Sequence, residues 1–184
     1  MLPTKFILNN NEIIMKEILP RKSFFFNTTE KLRILFSFFY LAVSVLFIFS
    51  KSPILIFGIV MFFIGLYLAF FRWVLRYFDI KNNYYLITNQ RIIIVEKSTG
   101  EIEQERNFFE INEINAEMNG SFFGNIIFGE PENIFGKSDE PFSFFNRGGM
   151  NFTEDKYVFL SVENINEVIP VFEELGLKVK KTFY

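Results

Sequence analysis

The chain has 184 residues, of which half are hydrophobic and a fifth aromatic, so it has ample apolar surface to bury and is not a disordered chain. It contains no Cys and no His, which excludes disulfides, Ser-His-Asp and Cys-His catalysis, and the usual zinc sites. Residues 1–76 carry nine basic and three acidic side chains, and residues 77–184 carry ten basic and eighteen acidic ones. This split indicates a membrane-proximal part and a solvated part, and the net charge of −2 gives no drive toward nucleic acid.

The first 33 residues are predicted to be a cytoplasmic N-terminal segment. Within it, residues 12–19 (EIIMKEIL) are short and rich in β-branched side chains, which favours a strand. We expect this strand to join the β-structure that follows the apolar region.

Residues 34–71 form a long apolar run interrupted by one charge, Lys51. The run is too long for one membrane span, and it divides at the turn-like Ser-Lys-Ser-Pro of residues 50–53. Two core helices of a soluble protein are the alternative, but neither half has a polar stripe. We therefore predict a transmembrane helical hairpin over residues 34–74, with helices at about 34–50 and 53–74.

Basic residues flank the outer ends of this hairpin, whereas its turn has only Lys51. The positive-inside rule then places both termini in the cytoplasm, with the chain as a multi-pass protein of the plasma or inner membrane. Basic and aromatic side chains beside the apolar run are predicted to anchor it at the membrane interface: Arg33, Arg72, Trp73, Arg76 and Tyr77. On the second helix, Gly58 and Gly65 are seven residues apart, so they either let the two helices approach closely or are ordinary glycines of a membrane helix.

Residues 77–184 are predicted to form a β-domain. Short runs of β-branched and aromatic residues, separated by turn signals about ten residues apart, favour an antiparallel barrel or sandwich. The predicted strands cover residues 84–88, 91–95, 101–108, 111–118, 125–128 and 156–162.

A C-terminal helix is predicted at residues 164–175, where apolar residues recur at helical spacing. Asn164 and Glu167 resemble a capping box, although Asn166 is an alternative N-cap that places Pro170 near the first turn. Gly176 marks the C-terminal stop.

Four stretches together resemble the bacterial pleckstrin-homology-like domains of small membrane proteins. They are NNNEIIMKEILPRKSF at residues 9–24, YYLITNQRIIIVEKSTGEIEQE at 84–105, GSFFGNIIFGE at 120–130 and FLSVENINEVIPVFEEL at 159–175. The resemblance implies a seven-stranded, partly open β-barrel capped by the C-terminal helix, and a membrane hairpin between the first two stretches. It implies no activity, because this fold hosts many kinds of binding. The predicted fold class is an α+β membrane protein: a transmembrane hairpin plus a PH-like barrel or sandwich.

Thr88, Asn89 and Arg91 form the core of the most recognisable of these motifs. Arg91 is a possible phosphate or carboxylate contact, but a turn with a cross-strand pair is the interpretation we favour. Gly124 is interpreted as a turn or bulge residue. Phosphoinositide binding is disfavoured, since an acidic domain is repelled by an anionic leaflet.

The segment of residues 131–155 departs from the family pattern. It combines Pro and Gly with large apolar side chains, including Phe135, Phe142, Phe144 and Phe145. Either the segment packs on the β-domain, or these phenylalanines bind a partner.

The sequence thus predicts a non-enzymatic, membrane-anchored PH-like protein that binds or scaffolds a protein or peptide partner, or a second copy of itself. We expect no cofactor, metal or nucleic acid. The alternative is an accessory subunit of a membrane transporter or lipid-processing complex, contacted through the hairpin.

Overall fold

The structure is a computed structural model that describes residues 5–50, 55–129 and 157–184. The described residues divide into two compact units. The helical unit comprises residues 28–50 and 55–77, and the β unit comprises residues 5–27, 78–129 and 157–184. This division follows composition, because the apolar run forms one unit and the strand-rich remainder forms the other.

Two long helices make up the helical unit, and the last residues of the second helix belong to the β unit. Their segments are α1 (Thr28–Phe49), α2 (Leu55–Leu66), a π-helical turn (Tyr67–Phe71) and α3 (Arg72–Asn82). The last three are continuous, so the hairpin consists of one helix of 22 residues and one of 28. Both exceed the predicted bounds, because polar residues beyond the apolar run continue the helices. Both are long and apolar enough to cross a membrane.

The first sheet of the β unit is antiparallel, with the strand order β1-β2-β3-β4. Its strands are β1 (Ile14–Ile18), β2 (Asn83–Thr88), β3 (Arg91–Glu96) and β4 (Ile102–Asn107). The two central strands are almost entirely buried, which agrees with their near-continuous aliphatic and aromatic sequence.

The second sheet has the order β7-β6-β5-β8 and is mixed, because β8 runs parallel to β5. Its strands are β5 (Ile114–Met118), β6 (Gly124–Phe128), β7 (Val158–Val162) and β8 (Val179–Phe183). A parallel pair needs a long crossover, and the helix α4 (Ile165–Glu174) lies in the chain segment between β7 and β8.

The α+β class is confirmed, and each predicted strand is observed within a few residues of its predicted bounds. The described residues form two four-stranded sheets, however, and no closed barrel. They contain eight strands, one more than the resemblance implies. The additional strand is β8, whose alternating sequence VKKTF is too polar to be recognised without its neighbour β5.

Helix α4 confirms the predicted C-terminal helix but not its capping box. Asn164 occupies the N-cap with left-handed backbone angles (φ 52°), and its side chain makes no capping hydrogen bond. Instead the backbone N–H of Ile165 donates to the carbonyl of Phe122 (2.9 Å), a residue of the β5–β6 turn. The N–H of Glu167, which the capping box would pair with the Asn164 side chain, donates to the Asn164 backbone carbonyl instead (2.8 Å).

The core of the β unit lies between the two sheets and α4. At its centre the Tyr85 ring stacks on Phe159, with centroids 4.5 Å apart and the rings 5° from parallel. Phe128 meets Phe159 edge-on at 4.7 Å and reaches Phe172 of α4 at 5.7 Å. Both sheets and the helix therefore share one apolar core.

Candidate functional site

The interface between the two helices of the hairpin is lined by small and polar residues. In α1 the buried residues include Ser37 and Ser44, whose hydroxyls donate to backbone carbonyls of their own helix. In α2 a Cβ built on Gly58 would lie 2.9 Å from the Cβ of Phe47, and one on Gly65 would lie 3.2 Å from Leu41. The two glycines therefore let the helices approach closely, which agrees with the first of the two alternatives left by their spacing.

A cluster of charged residues lies at the end of the hairpin where both helices meet the β unit in sequence. Glu30, in the first turn of α1, accepts a hydrogen bond from Arg33 (2.6 Å) and one from Arg72 of α3. Arg76 Nη1 lies 3.5 Å from the same carboxylate. All four side chains are at most 7% exposed. We call these four residues the Glu30 cluster.

Trp73 adds an aromatic side to the Glu30 cluster. The guanidinium carbons of Arg72 and Arg76 lie 4.9 Å and 5.5 Å from its ring centroid, within cation–π range. Four of the five predicted interface anchors are thus brought together, and three of them, Arg33, Arg72 and Arg76, are buried. The fifth, Tyr77, is 41% exposed.

Glu30 is the member of this cluster that sequence reasoning missed. Its pairing with Arg33 has a local signal, since residues three apart share a helix face, and Arg72 and Arg76 share a face for the same reason. Chemically the cluster joins the first turn of α1 to α3 through charge-assisted hydrogen bonds. It can fix the register of the two helices, because a buried carboxylate between arginines accepts only narrow geometry.

A second buried ion pair lies in the β unit, at the motif Thr88, Asn89 and Arg91. Arg91 donates to both carboxylate oxygens of Glu12 at 2.9 Å and also to Glu105 on β4. The Thr88 hydroxyl lies 2.8 Å from Glu12 and accepts the backbone N–H groups of Gln90 and Arg91. These contacts support the structural role that we favoured for the motif.

The contact between Arg91 and Glu12 shifts the pKa values of both side chains. Burial raises the pKa of Glu12, but the hydrogen bonds from Arg91, the Asn9 backbone N–H and Thr88 outweigh it and hold the pKa below its usual value. The hydrogen bond to Glu12 is the largest cause that raises the pKa of Arg91. Both groups therefore stay charged at neutral pH.

Asn89 ties the N-terminal segment to the turn between β2 and β3. Its Oδ1 accepts the Ile13 backbone N–H and its Nδ2 donates to the Asn11 carbonyl, both at 2.9 Å. Gln90 donates to the neighbouring Asn10 carbonyl at 3.1 Å. The motif thus closes β1 onto β2, and its amide side chains serve as backbone partners rather than as ligands for a substrate.

Gly124 opens β6 at a point where no other residue fits. A Cβ at this position would lie 1.8 Å from the carbonyl oxygen of Glu117 on β5. The register of β6 against β7 also shifts between Gly124 and Ile126. This agrees with the interpretation of Gly124 as a bulge residue.

The remaining predicted positions lie outside the described residues. They are Lys51 in the hairpin turn and the phenylalanines Phe135, Phe142, Phe144 and Phe145. Their predicted roles stay predictions. Within the described parts of the chain, no group of three or more acidic side chains is placed to hold a metal ion.

Fold and sites together define an α+β protein with an apolar helical hairpin and a two-sheet β unit. Comparison of the chain with models of protein families, with curated proteins and with solved structures finds no match.

Proposed function

We propose that the chain is a non-enzymatic protein anchored in the plasma or inner membrane by its hairpin, which presents a PH-like β unit to a protein or peptide partner in the cytoplasm. The observation that carries this proposal is the polarity of α1, which exposes its large apolar side chains and buries polar ones.

The buried residues of α1 are all polar: Glu30, Arg33, Ser37 and Ser44. Its large apolar side chains point outward instead, with Leu35 62%, Phe39 65% and Leu46 69% exposed. A core helix of a soluble protein would show the reverse pattern. Lipid chains are the solvent in which this arrangement is favourable.

The distribution of charge supports an orientation with both ends of the hairpin in the cytoplasm. Arg33, Arg72 and Arg76 lie near the ends that join the β unit, and the connection at residues 50–54 has a single basic residue. Lys and Arg are more frequent on the cytoplasmic side of membrane helices. The charge distribution therefore supports a β unit on the cytoplasmic side.

The β unit is proposed to act as a binding platform. Its two sheets followed by helix α4 support the resemblance to PH-like domains, a fold used mostly for recognition. The chain has no His or Cys, so the commonest nucleophile and base arrangements are not available to it. The alternative is an accessory subunit that contacts another membrane protein through Gly58 and Gly65. It is less well supported, because both glycines pack against α1 of the same hairpin.

The membrane topology can be tested by introducing single Cys residues, because the chain has none of its own. Two single-Cys variants would be treated in intact cells with a membrane-impermeant maleimide. They are Ser50→Cys, at the end of α1 away from the β unit in sequence, and Ser98→Cys, between β3 and β4. In intact cells we expect labelling at residue 50 but not at residue 98. Residue 98 should be labelled only after the cells are opened. Labelling of both positions in intact cells, or of neither even in opened cells, contradicts the proposal.

Partner binding can be tested by purifying the full chain from native membranes in mild detergent, beside a variant that lacks residues 131–152. We expect a specific protein partner, identified by mass spectrometry, that is lost with the deleted segment. A homo-oligomer unchanged by the deletion would instead assign assembly to the hairpin or the β unit. A monomer in both preparations contradicts the scaffold proposal.

A further inference from the structure

The turn between β5 and β6 presents a phenylalanine in a backbone conformation that suits glycine. Asn119 Oδ1 organises this turn by accepting the N–H groups of Ser121 (3.0 Å) and Phe123 (3.1 Å). Phe122 has a φ of 57°, in the left-handed region that bulky residues avoid. Backbone hydrogen bonds hold this conformation, since the Phe122 N–H donates to the Asn119 carbonyl and the Phe122 carbonyl accepts the Ile165 N–H, both at 2.9 Å. These bonds leave the residue 38% exposed at the surface of the β unit.

Two more exposed aromatic residues lie at the same end of the sheet. Strand β8 pairs with β5 so that Phe183 is opposite Met118, and the Phe183 ring meets Phe122 at 6.3 Å. Phe183 is 59% exposed, and the adjacent Tyr184 is 43% exposed. We call Phe122, Phe183 and Tyr184 the aromatic patch.

The aromatic patch lies beside the segment through which the chain enters α1. Glu117 accepts a hydrogen bond from Asn27 Nδ2 at 2.6 Å and one from the Tyr184 hydroxyl at 3.3 Å. Burial and the nearby Glu117 carboxylate raise the pKa of Tyr184, so the hydroxyl keeps its proton and donates. The Phe25 ring packs 6.2 Å from that of Tyr184. Asn27 is followed directly by Thr28, the first residue of α1.

We infer that the aromatic patch inserts into the headgroup region of the lipid bilayer and holds the β unit against the membrane. This inference rests on the proposed function, because it needs α1 to cross the bilayer. If it does, the patch is tied by Asn27 and Glu117 to the point where the chain leaves the membrane. The exposed Phe and Tyr rings of the patch supply apolar surface that can be buried at the boundary between the headgroups and the acyl chains. A protein partner is the other occupant such a surface admits, and the test separates the two.

The test uses single-Cys variants of the full chain, labelled with an environment-sensitive fluorophore and reconstituted in vesicles of phosphatidylcholine, which carries no net charge and does not repel the acidic β unit. Brominated forms of the same lipid quench a fluorophore that contacts the bilayer. Phe122→Cys and Phe183→Cys report on the patch, and Leu46→Cys reports on insertion of the hairpin. Phe109→Cys is the matched control, because Phe109 is 84% exposed but precedes the start of β5, whereas the patch lies at its other end.

We expect brominated lipid to lower the fluorescence of the labels at residues 46, 122 and 183 and to leave the label at residue 109 unchanged. Quenching at residue 46 without quenching at 122 and 183 overturns the inference, leaves the proposed function standing and assigns the patch to a protein partner. Equal quenching at residue 109 also overturns it, since lipid contact would not be specific to the patch. Absence of quenching at residue 46 overturns the proposed function and the inference together.

Discussion

The helical unit and the β unit are built with opposite polarity. In the hairpin, Glu30 and Arg33 are buried while Phe39 faces outward; in the β unit, Phe159 and Phe172 are fully buried while Lys180 is exposed. Each arrangement is stable only in its own solvent, since apolar surface is driven out of water but not out of lipid. The proposed membrane anchoring accounts for this difference, because it would surround the two units with different media.

The largest effect is expected from Glu30→Gln, which leaves three buried arginines without their shared carboxylate. Removing one partner of a buried ion pair costs about 4 kcal/mol. Amide exchange measured by mass spectrometry in detergent should show the hairpin destabilised and the β unit protected. Glu163→Gln is the control, because Glu163 and Arg21 form an exposed pair with both side chains more than half accessible. Equal exchange in both variants would remove the Glu30 cluster as the link between the helices.

Gly124→Ala is expected to destabilise the β unit. The new Cβ meets the Glu117 carbonyl at 1.8 Å, so the backbone of β5 or β6 must move, and overpacking of this kind costs about 3 kcal/mol or more. Thermal unfolding followed by circular dichroism should show a lower midpoint for the β unit. Gly120→Ala, where a Cβ meets nothing within 4 Å, should unfold like the wild type. A stable Gly124→Ala variant would contradict the β5–β6 register.

The proposed difference in surroundings, lipid for the hairpin and water for the β unit, is tested most directly by replacing one exposed phenylalanine in each unit with lysine. Phe39→Lys, near the middle of α1, should cost about 3 kcal/mol of membrane insertion if the residue faces lipid. Phe109→Lys in the β unit should be nearly neutral, although Phe109 is the more exposed of the two. Carbonate extraction of membranes measures the difference. Equal retention of Phe39→Lys and Phe109→Lys would contradict lipid exposure of Phe39, and extraction of the wild type would contradict membrane anchoring itself.

Acid should weaken the β unit through Glu12. Its pKa is lower in the folded chain than the ordinary value of 4.5, so the ionised carboxylate contributes stability above that value and loses it as pH falls through the folded pKa. Glu12→Gln should cost about 2 kcal/mol at neutral pH and flatten the pH dependence below 4.5. Unfolding by denaturant across this range measures both. Glu101→Gln, at an exposed position, should keep the wild-type dependence of unfolding free energy on pH. If Glu12→Gln also keeps it, the Glu12–Arg91 pair is not the cause of the acid sensitivity.

The smallest effect is expected from Phe122→Gly, since relief of the left-handed strain offsets loss of the ring contact with Phe183. The free energy of unfolding in detergent should change by less than about 1 kcal/mol. Phe123→Ala, one residue further, removes a buried ring and should cost about 3 kcal/mol. Comparable losses in the two variants would mean that Phe122 serves the core and not the surface.

Local chemistry determined much of this molecule. The β-branched and aromatic runs predicted the strands at residues 84–88 and 91–95, and the turn motif between them, because these preferences act within a few residues. The apolar run likewise predicted a helical hairpin, whereas the spacing of Gly58 and Gly65 left close helix packing as one of two alternatives. Helix α4 was predicted from its apolar periodicity, although its cap was not.

Contacts between distant residues decided the rest. Glu30 and Arg72 are 42 positions apart, and only the pairing of the two helices shows that the predicted surface anchors are buried around one carboxylate. Strand β8 is a strand because β5 supplies its hydrogen bonds, and Phe122 adopts a strained backbone because the turn and α4 both bond to it. Sequence pattern reports the preference of each segment, whereas the partner of a buried charge or an edge strand depends on which segments the fold brings together.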